Sequence, residues 1–186
     1  HNIITEVICR DERKKEEEDL FLKKSGFELT TIYYEMIKRN STEESYAGAP
    51  PVPRAEVDDA GKLLDFWKRN LNTSEHPLPG LDKLRGMILN GQVIALKKND
   101  SGGDSGILAA MVTRVDRKIG YIEYVAVDKD FRNRGMGKML MGYIDKIPSV
   151  KKWFLFVSEG NHAARKLYEK CGFAYSGRQL FQYCKI

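Results

Sequence analysis

The stretch Val125-Ala126-Val127-Asp128-Lys129-Asp130-Phe131-Arg132-Asn133-Arg134-Gly135-Met136-Gly137-Lys138-Met139-Leu140 constrains this chain most. An apolar run of strand character breaks there at a glycine-containing turn and resumes as a helix, so any fold must deliver a strand end onto a helix start. A helix start leaves its first backbone N–H groups without intrahelical partners, and the aligned peptide dipoles add partial positive charge. Gly135 and Gly137 carry no Cβ to hold an anion away from the backbone, and Arg132, Arg134 and Lys138 surround the turn with cations. A phosphate group suits such a place. Leu140 stands where a dinucleotide fingerprint needs its third glycine, and no Gly-Lys-Ser/Thr follows, so neither that fingerprint nor a P-loop is present. Read alone, Arg-x-x-Gly-x-Gly leaves two alternatives open, an anion cradle and a purely structural strand-to-helix connection.

Patterning along the chain predicts a strand over Ile3 to Cys9, a highly charged helix over Asp11 to Lys24, and one or two strands over Phe27 to Lys38. Residues 39 to 53, with three prolines, have linker composition. A short strand is expected over Arg54 to Val57, followed by a helix carrying Leu63, Leu64, Phe66 and Trp67 with Asp58 or Asp59 as cap. A loop rich in turn formers at 72 to 80 leads to a helix over Leu81 to Leu89. Gln92 to Lys97, Ile107 to Val115 and Ile119 to Val127 read as an antiparallel meander. Apolar positions 139, 140, 143, 144 and 147 have helical spacing up to Pro148, Trp153 to Val157 reads as a strand buried on both faces, and a further helix spans Asn161 to Lys170. Segments around Phe173 to Tyr175 and Leu180 to Ile186 close the chain, which is expected to form a mixed α/β sheet. The opening also echoes the end: Phe21-Leu22-Lys23-Lys24-Ser25-Gly26-Phe27 runs parallel to Leu167-Tyr168-Glu169-Lys170-Cys171-Gly172-Phe173, and after a one-residue slip Tyr34 to Lys38 echoes Phe181 to Lys185.

At 186 residues the chain suits one full domain with an appendage. No run approaches the roughly 18 apolar residues that span a bilayer, so a membrane protein is not expected. Three cysteines without CxxC spacing suggest neither a disulfide framework nor a zinc site, and a cytoplasmic setting is the expectation. A formal charge of +5 favours anionic partners in a general way, but basic residues are scattered among 26 acidic ones without a nucleic-acid recognition motif. The chain opens at His1-Asn2 without an initiator Met, which leads us to expect that it begins inside something longer.

The order of meander, cradle, helix, strand, helix, Gly-Phe and strand resembles the GNAT superfamily of acyl-CoA-dependent N-acetyltransferases over residues 54 to 186. Two motif blocks carry the resemblance: Arg132-x-x-Gly135-x-Gly137 after Val125-Ala126-Val127, and Asn161-x-x-Ala164-x-x-x-Tyr168-x-Lys170-x-Gly172-Phe173. It implies a mostly antiparallel central sheet flanked by helices, with 54–186 as a complete domain, 39–53 as linker and 1–38 as a partial, degenerate GNAT-like segment without a cofactor site of its own. It also implies acetyl-CoA as co-substrate and no metal. The pyrophosphate would lie on amides across Arg134, Gly135, Met136, Gly137 and Lys138, with Arg132 and Arg134 adding charge, although a solvated role fits at least one of these cations better. The pantetheine arm would pair with Val125 and Val127, near a bulge that frees an amide for the acetyl carbonyl, and would meet Asn161.

For the chemistry, the resemblance implies that Tyr168 protonates the departing CoA thiolate and that Glu123 serves as general base, directly or through water. Both keep structural alternatives: Tyr168 as an amphipathic core residue, Glu123 as a surface carboxylate on a half-buried strand. His76 is a weaker base candidate, and Cys171 and Cys184 are expected to be structural. The expected function is transfer of an acetyl group to the primary amine of a small molecule or peptide by direct attack in a ternary complex. The alternative is a non-catalytic CoA-sensing or partner-binding module, and a homodimer is among the assemblies considered.

Overall fold

The computed structural model describes residues 3–40, 52–73, 77–98, 106–147 and 149–185. It has the expected mixed α/β architecture: among the described residues there are five α-helices and seven strands, with the strands in the order β1-β7-β2-β6-β5-β4-β3. By contacts the chain divides into two compact units, Arg39–Trp153 and the pairing of His1–Lys38 with Phe154–Ile186. Residues 1–38, expected as an appendage, thus share a unit with the end of the chain. The linker reading of 39–53 falls mostly on residues outside those described.

The unit Arg39–Trp153 contains α2 (Ala60–Asn70), α3 (Leu81–Leu89), β3 (Val93–Lys97), β4 (Ile107–Asp116), β5 (Ile119–Val127) and α4 (Met136–Ile144). The three strands form the predicted antiparallel meander, with Val93 opposite Val112 and Ala109 opposite Val127. In α2 the spacing of Leu63, Phe66 and Trp67 places them on one stripe, and all three are fully buried. They pack with Leu84 and Ile88 of α3 against Val93, Ala95, Ala110, Val112 and Ala126 of the sheet, each large side chain contributing about 1.5–3 kcal/mol of burial. The Trp153 indole occupies the space that a side chain at Gly120 would need.

Residues 54 to 57 do not make the expected strand. Arg54 forms a single bridge to Ile94, and Val57–Asp59 then turn as one 3-10 turn, held by the Glu56 N–H donating to Asp59 Oδ2 at 2.7 Å. Asp59 makes no side-chain cap on α2; its carboxylate instead meets Lys97 Nζ at 2.7 Å. Helix α4 begins at Met136, a turn earlier than its apolar spacing suggested, and ends at Ile144; Pro148, expected as its stop, lies outside the described residues.

The other unit holds β1 (Ile3–Cys9), α1 (Glu12–Lys24), β2 (Glu28–Arg39), most of β6 (Lys152–Ser158), α5 (His162–Lys170) and β7 (Ala174–Lys185). β6 is buried on one face only: Trp153, Leu155 and Val157 point inward while Phe156 is 37% exposed. The closing segments form one strand, β7, which carries Gly177 at φ +83°. β7 lies between β1 and β2 and is antiparallel to both.

The strand order β1-β7-β2-β6 makes the repeat visible. Exchanging β1 with β6 and β2 with β7 returns the same order reversed, so the β1-α1-β2 and β6-α5-β7 halves interleave about a pseudo-two-fold. The register obeys it. Taking the slipped alignment, Tyr33 opposite Leu180 maps onto itself, and Ile32 opposite Phe181 maps onto Tyr34 opposite Gln179. Register shifts follow on both sides of this centre, between Leu29 and Thr31 and between Tyr34 and Met36.

Candidate active site

In the unit Arg39–Trp153, β5 ends at Val127 and Asp128 caps a short turn with its side chain accepting from the Asp130 N–H. Asn133 and Gly135 then take left-handed backbone angles, φ +61° and +82°, and reverse the chain into α4. Gly135 is the N-cap of α4 and supplies no side chain to its first-turn amides. The first return bond is Met139 N–H to the Gly135 carbonyl at 2.9 Å, leaving the amides of Met136, Gly137 and Lys138 as the free donors that a helix start presents. A Cβ built at Gly135 would meet nothing within 4 Å. The donor set and the open approach both fit a pyrophosphate.

The cations around the turn divide by role. Arg132 Nε reaches back toward the Val127 carbonyl at 3.4 Å, and Arg134 lies over the Phe131 ring at 5.1 Å. Arg132, Arg134 and Lys138 are all exposed, so each can add charge without carrying the burden of a buried ion.

Upstream, the bulge expected near the acetyl site falls at Glu123. Val112 opposes Tyr124 and Thr113 opposes Ile122, so Glu123 is the extra residue on β5. Val125 and Val127 keep regular pairing with Met111 and Ala109. Glu123 Oε1 accepts from Arg114 Nε at 2.9 Å, and the Arg114 guanidinium lies 4.2 Å from the Tyr121 ring centroid. Beside it Tyr124 stacks on Trp67 and donates its hydroxyl to the Pro77 carbonyl at 2.8 Å, tying the polar loop before α3 to β5. Burial, with the nearby Glu123 charge second, raises the Tyr124 pKa above the usual phenol value. Sequence reasoning missed Arg114 and Tyr124. Cross-strand register was the signal for Arg114, which faces Tyr121, but register cannot be counted across an unseen bulge. His76 lies outside the described residues.

The remaining predicted site residues belong to the other unit. Asn161 is the N-cap of α5, its side-chain oxygen accepting from the Ala164 N–H at 3.1 Å, so sequence order and capping preference agree there. Tyr168 is buried, 8% exposed, with its ring tilted against Phe173 at 6.0 Å between centroids. Burial first, then the Cys171 thiol, pushes its pKa well above the ordinary phenol range, so the proton stays on oxygen across neutral pH. Arg165, on the same helical face, donates Nε to the Tyr175 hydroxyl at 2.9 Å and lies over the Tyr34 ring at 4.9 Å. Tyr34 donates to Glu159 at 2.8 Å. All three cysteines are free thiols, and among the described residues no cluster of three or more His, Cys, Asp or Glu side chains could hold a metal.

A family model described as acetyltransferase (GNAT) family matches residues 66–173, more than half the chain and inclusive of both the cradle and the Asn161–Phe173 block. The chain belongs to the GNAT acetyltransferase family. Acetyl-CoA is the co-substrate of that family. The GNAT chain is 32% identical over 79 residues to a glucosamine 6-phosphate N-acetyltransferase of Trypanosoma brucei brucei, a match covering 42% of this chain and 54% of that protein. It therefore spans about half the length of that curated relative. Its fold resembles a GCN5-related N-acetyltransferase from Sphaerobacter thermophilus with a TM-score of 0.67 at 16% identity, covering 99% of this chain and 60% of that one. It also resembles a chain of the NatC complex bound to Gag peptide and CoA, with a TM-score of 0.57 at 20% identity over 70% of this chain and 94% of that one. No described helix is long and apolar enough to cross a membrane.

Proposed function

We propose that this chain transfers the acetyl group of acetyl-CoA to a primary amine by direct attack within a ternary complex. The observation that carries the reading is the turn at Asn133–Gly135, which offers uncapped amides of α4 next to open space, in a chain of the acetyltransferase family. Amides of Gly135 to Lys138 hold the pyrophosphate, Arg132 and Arg134 add charge, and Val125 and Val127 pair with the pantetheine arm, which Asn161 also contacts. Glu123, the extra residue of the β5 bulge, removes a proton from the amine, directly or through water. Nitrogen attacks the thioester carbonyl, the C–S bond breaks as the tetrahedral oxyanion collapses, and Tyr168 returns a proton to sulfur. The raised pKa of Tyr168 keeps it in the protonated form this step requires.

The identity to a glucosamine 6-phosphate enzyme motivates an amino-sugar phosphate as the first acceptor to try. Calorimetry with acetyl-CoA, followed by thiol release across amino-sugar phosphates, antibiotics and peptides, tests the reading: binding and turnover with at least one amine are expected, and failure of folded protein to bind acetyl-CoA ends it. A second reading, a non-catalytic CoA-binding module of the cytoplasm, draws on the ion pair between Glu123 and Arg114, which engages the proposed base. Binding without transfer to any amine would favour it.

A further inference from the structure

Within the unit Arg39–Trp153, Glu123 and Arg114 meet through a departure from strand regularity. Side chains alternate between the two faces of a strand, so Val112 and Arg114 of β4 share the face that α2 and α3 cover. Tyr124, which opposes Val112, packs against the same core. Strict alternation would put Glu123, one residue before Tyr124, on the other face. The extra residue at the bulge breaks the alternation, and the Glu123 carboxylate reaches Arg114, with Oε1 accepting from Nε at 2.9 Å. Both side chains stay accessible, Arg114 at 48% and Glu123 at 29% exposure, and an ion pair exposed to that degree adds little to stability. The bulge thus gives up regular pairing to assemble a contact from which the fold gains little, and bulges recur beside active sites.

The guanidinium keeps a reachable donor edge. Its Nε is taken by Glu123, its central carbon lies 4.2 Å from the Tyr121 ring centroid, and among the described residues no hydrogen bond engages its two Nη groups. With Glu123 as the base of the proposed transfer, on which this inference rests, an amine hydrogen-bonded to Oε1 lies within about 6 Å of Arg114 Nε, two hydrogen-bond lengths. An acceptor whose only charge is its ammonium is repelled by Arg114 there, whereas one that also carries an anion has a partner for each end. We propose that the acceptor is a primary amine bearing a carboxylate or phosphate close to its nitrogen, and that Arg114 selects it by donating Nη–H bonds to the anion while Glu123 holds the amine. A guanidinium takes either anion in the same planar geometry.

Acceptors matched except for the anion test this: glucosamine 6-phosphate against glucosamine for phosphate, and alanine against alaninamide for carboxylate. Each is measured by calorimetry in the presence of CoA and by thiol release from acetyl-CoA, on the wild-type chain, Arg114→Gln and Arg114→Lys. For at least one pair, the preference for the anionic member, in Kd and in kcat/KM, should fall about tenfold in Arg114→Gln and by less than threefold in Arg114→Lys. Comparing the ratio between variants cancels the difference in amine basicity, and the pair that responds tells phosphate from carboxylate. A parallel fall for both members, with the ratio unmoved, assigns Arg114 to holding Glu123 alone and overturns the proposal while leaving acetyl transfer intact. An Arg114-dependent ratio in Kd without thiol release upholds the recognition and ends the transfer reading instead. Neither binding nor transfer with any of the four acceptors overturns the proposal.

Discussion

The two halves of the pseudo-two-fold share a backbone and divide over chemistry. Helices α1 and α5 end alike: Phe27 N–H donates to the Leu22 carbonyl and Phe173 N–H to the Tyr168 carbonyl, both at 3.0 Å, with Gly26 and Gly172 at φ +82° and +87°. Leu22 and Tyr168 hold the same place and are each 8% exposed. Packing there is met by an aliphatic side chain, so the phenol oxygen of Tyr168 is surplus to the fold, and a polar atom brought to a buried position without structural need is where function is to be sought. Three residues earlier the halves diverge again. Asp19 takes Lys23 at 2.7 Å and the Tyr183 hydroxyl at 3.2 Å, whereas Arg165 is set among Tyr34 and Tyr175. Both halves keep the strand exchange and the glycine turns, and only the second carries the Asn-x-x-Ala block.

The largest expected effect comes from removing the first half. β2 lies between β6 and β7, so a chain beginning at residue 50 loses an interior strand and should show no cooperative melting transition. A folded, acetyl-CoA-binding chain of that length would break the interleaved account. Next comes the matched pair at the shared buried position. Leu22→Ala should cost about 2–5 kcal/mol in denaturant unfolding with little change in kcat of the folded fraction, while Tyr168→Phe should cost about 1 kcal/mol or less. Equal stability losses from the two would remove the argument that the hydroxyl is surplus.

Gly26→Ala and Gly172→Ala should each cost about 1–2 kcal/mol, because both glycines are left-handed at the same turn, and values differing by more than that range would show that the turns are not equivalent. A smaller effect concerns Tyr183, whose pKa burial pushes up to about 12, with Asp19 adding to the rise. Below pH 10 the phenol is protonated whether the chain is folded or not; between pH 10 and about 12 the unfolded chain releases the proton first, so stability falls as pH rises through that window. Tyr183→Phe should flatten this alkaline slope in thermal melts. Smallest is Lys23→Ala, which removes an exposed i,i+4 pair with Asp19 and should cost about 0.3–0.5 kcal/mol.

Local patterning made most elements legible. β1, α3 and β5 have the bounds that apolar periodicity and turn residues suggest, because each is flanked by residues with strong preferences. The strand-turn-helix connection at Gly135 was legible for the same reason: glycine at the left-handed N-cap and the lack of a capping side chain are local properties. Strand order is not local. That β7 inserts between β1 and β2 follows from pairing between residues 137 to 182 positions apart, and only the repeated Gly-Phe turn hinted at it. A bulge was expected on this strand, but its position at Glu123 escaped because an extra residue leaves no mark on one strand until its partner's register is known. Residues 54 to 57 misled because their strand pattern competes with the Glu56 and Asp59 exchange of backbone and side-chain bonds, which wins within one turn.

Thiol release at saturating acetyl-CoA and amine, measured on the wild-type chain and on Tyr168→Phe, tests the placement of chemistry in the second half most directly. The account predicts a folded variant that binds acetyl-CoA with unchanged affinity and turns over about 100-fold more slowly, the contribution of one positioned proton donor. An unchanged kcat would contradict it and return Tyr168 to the packing role that Leu22 performs.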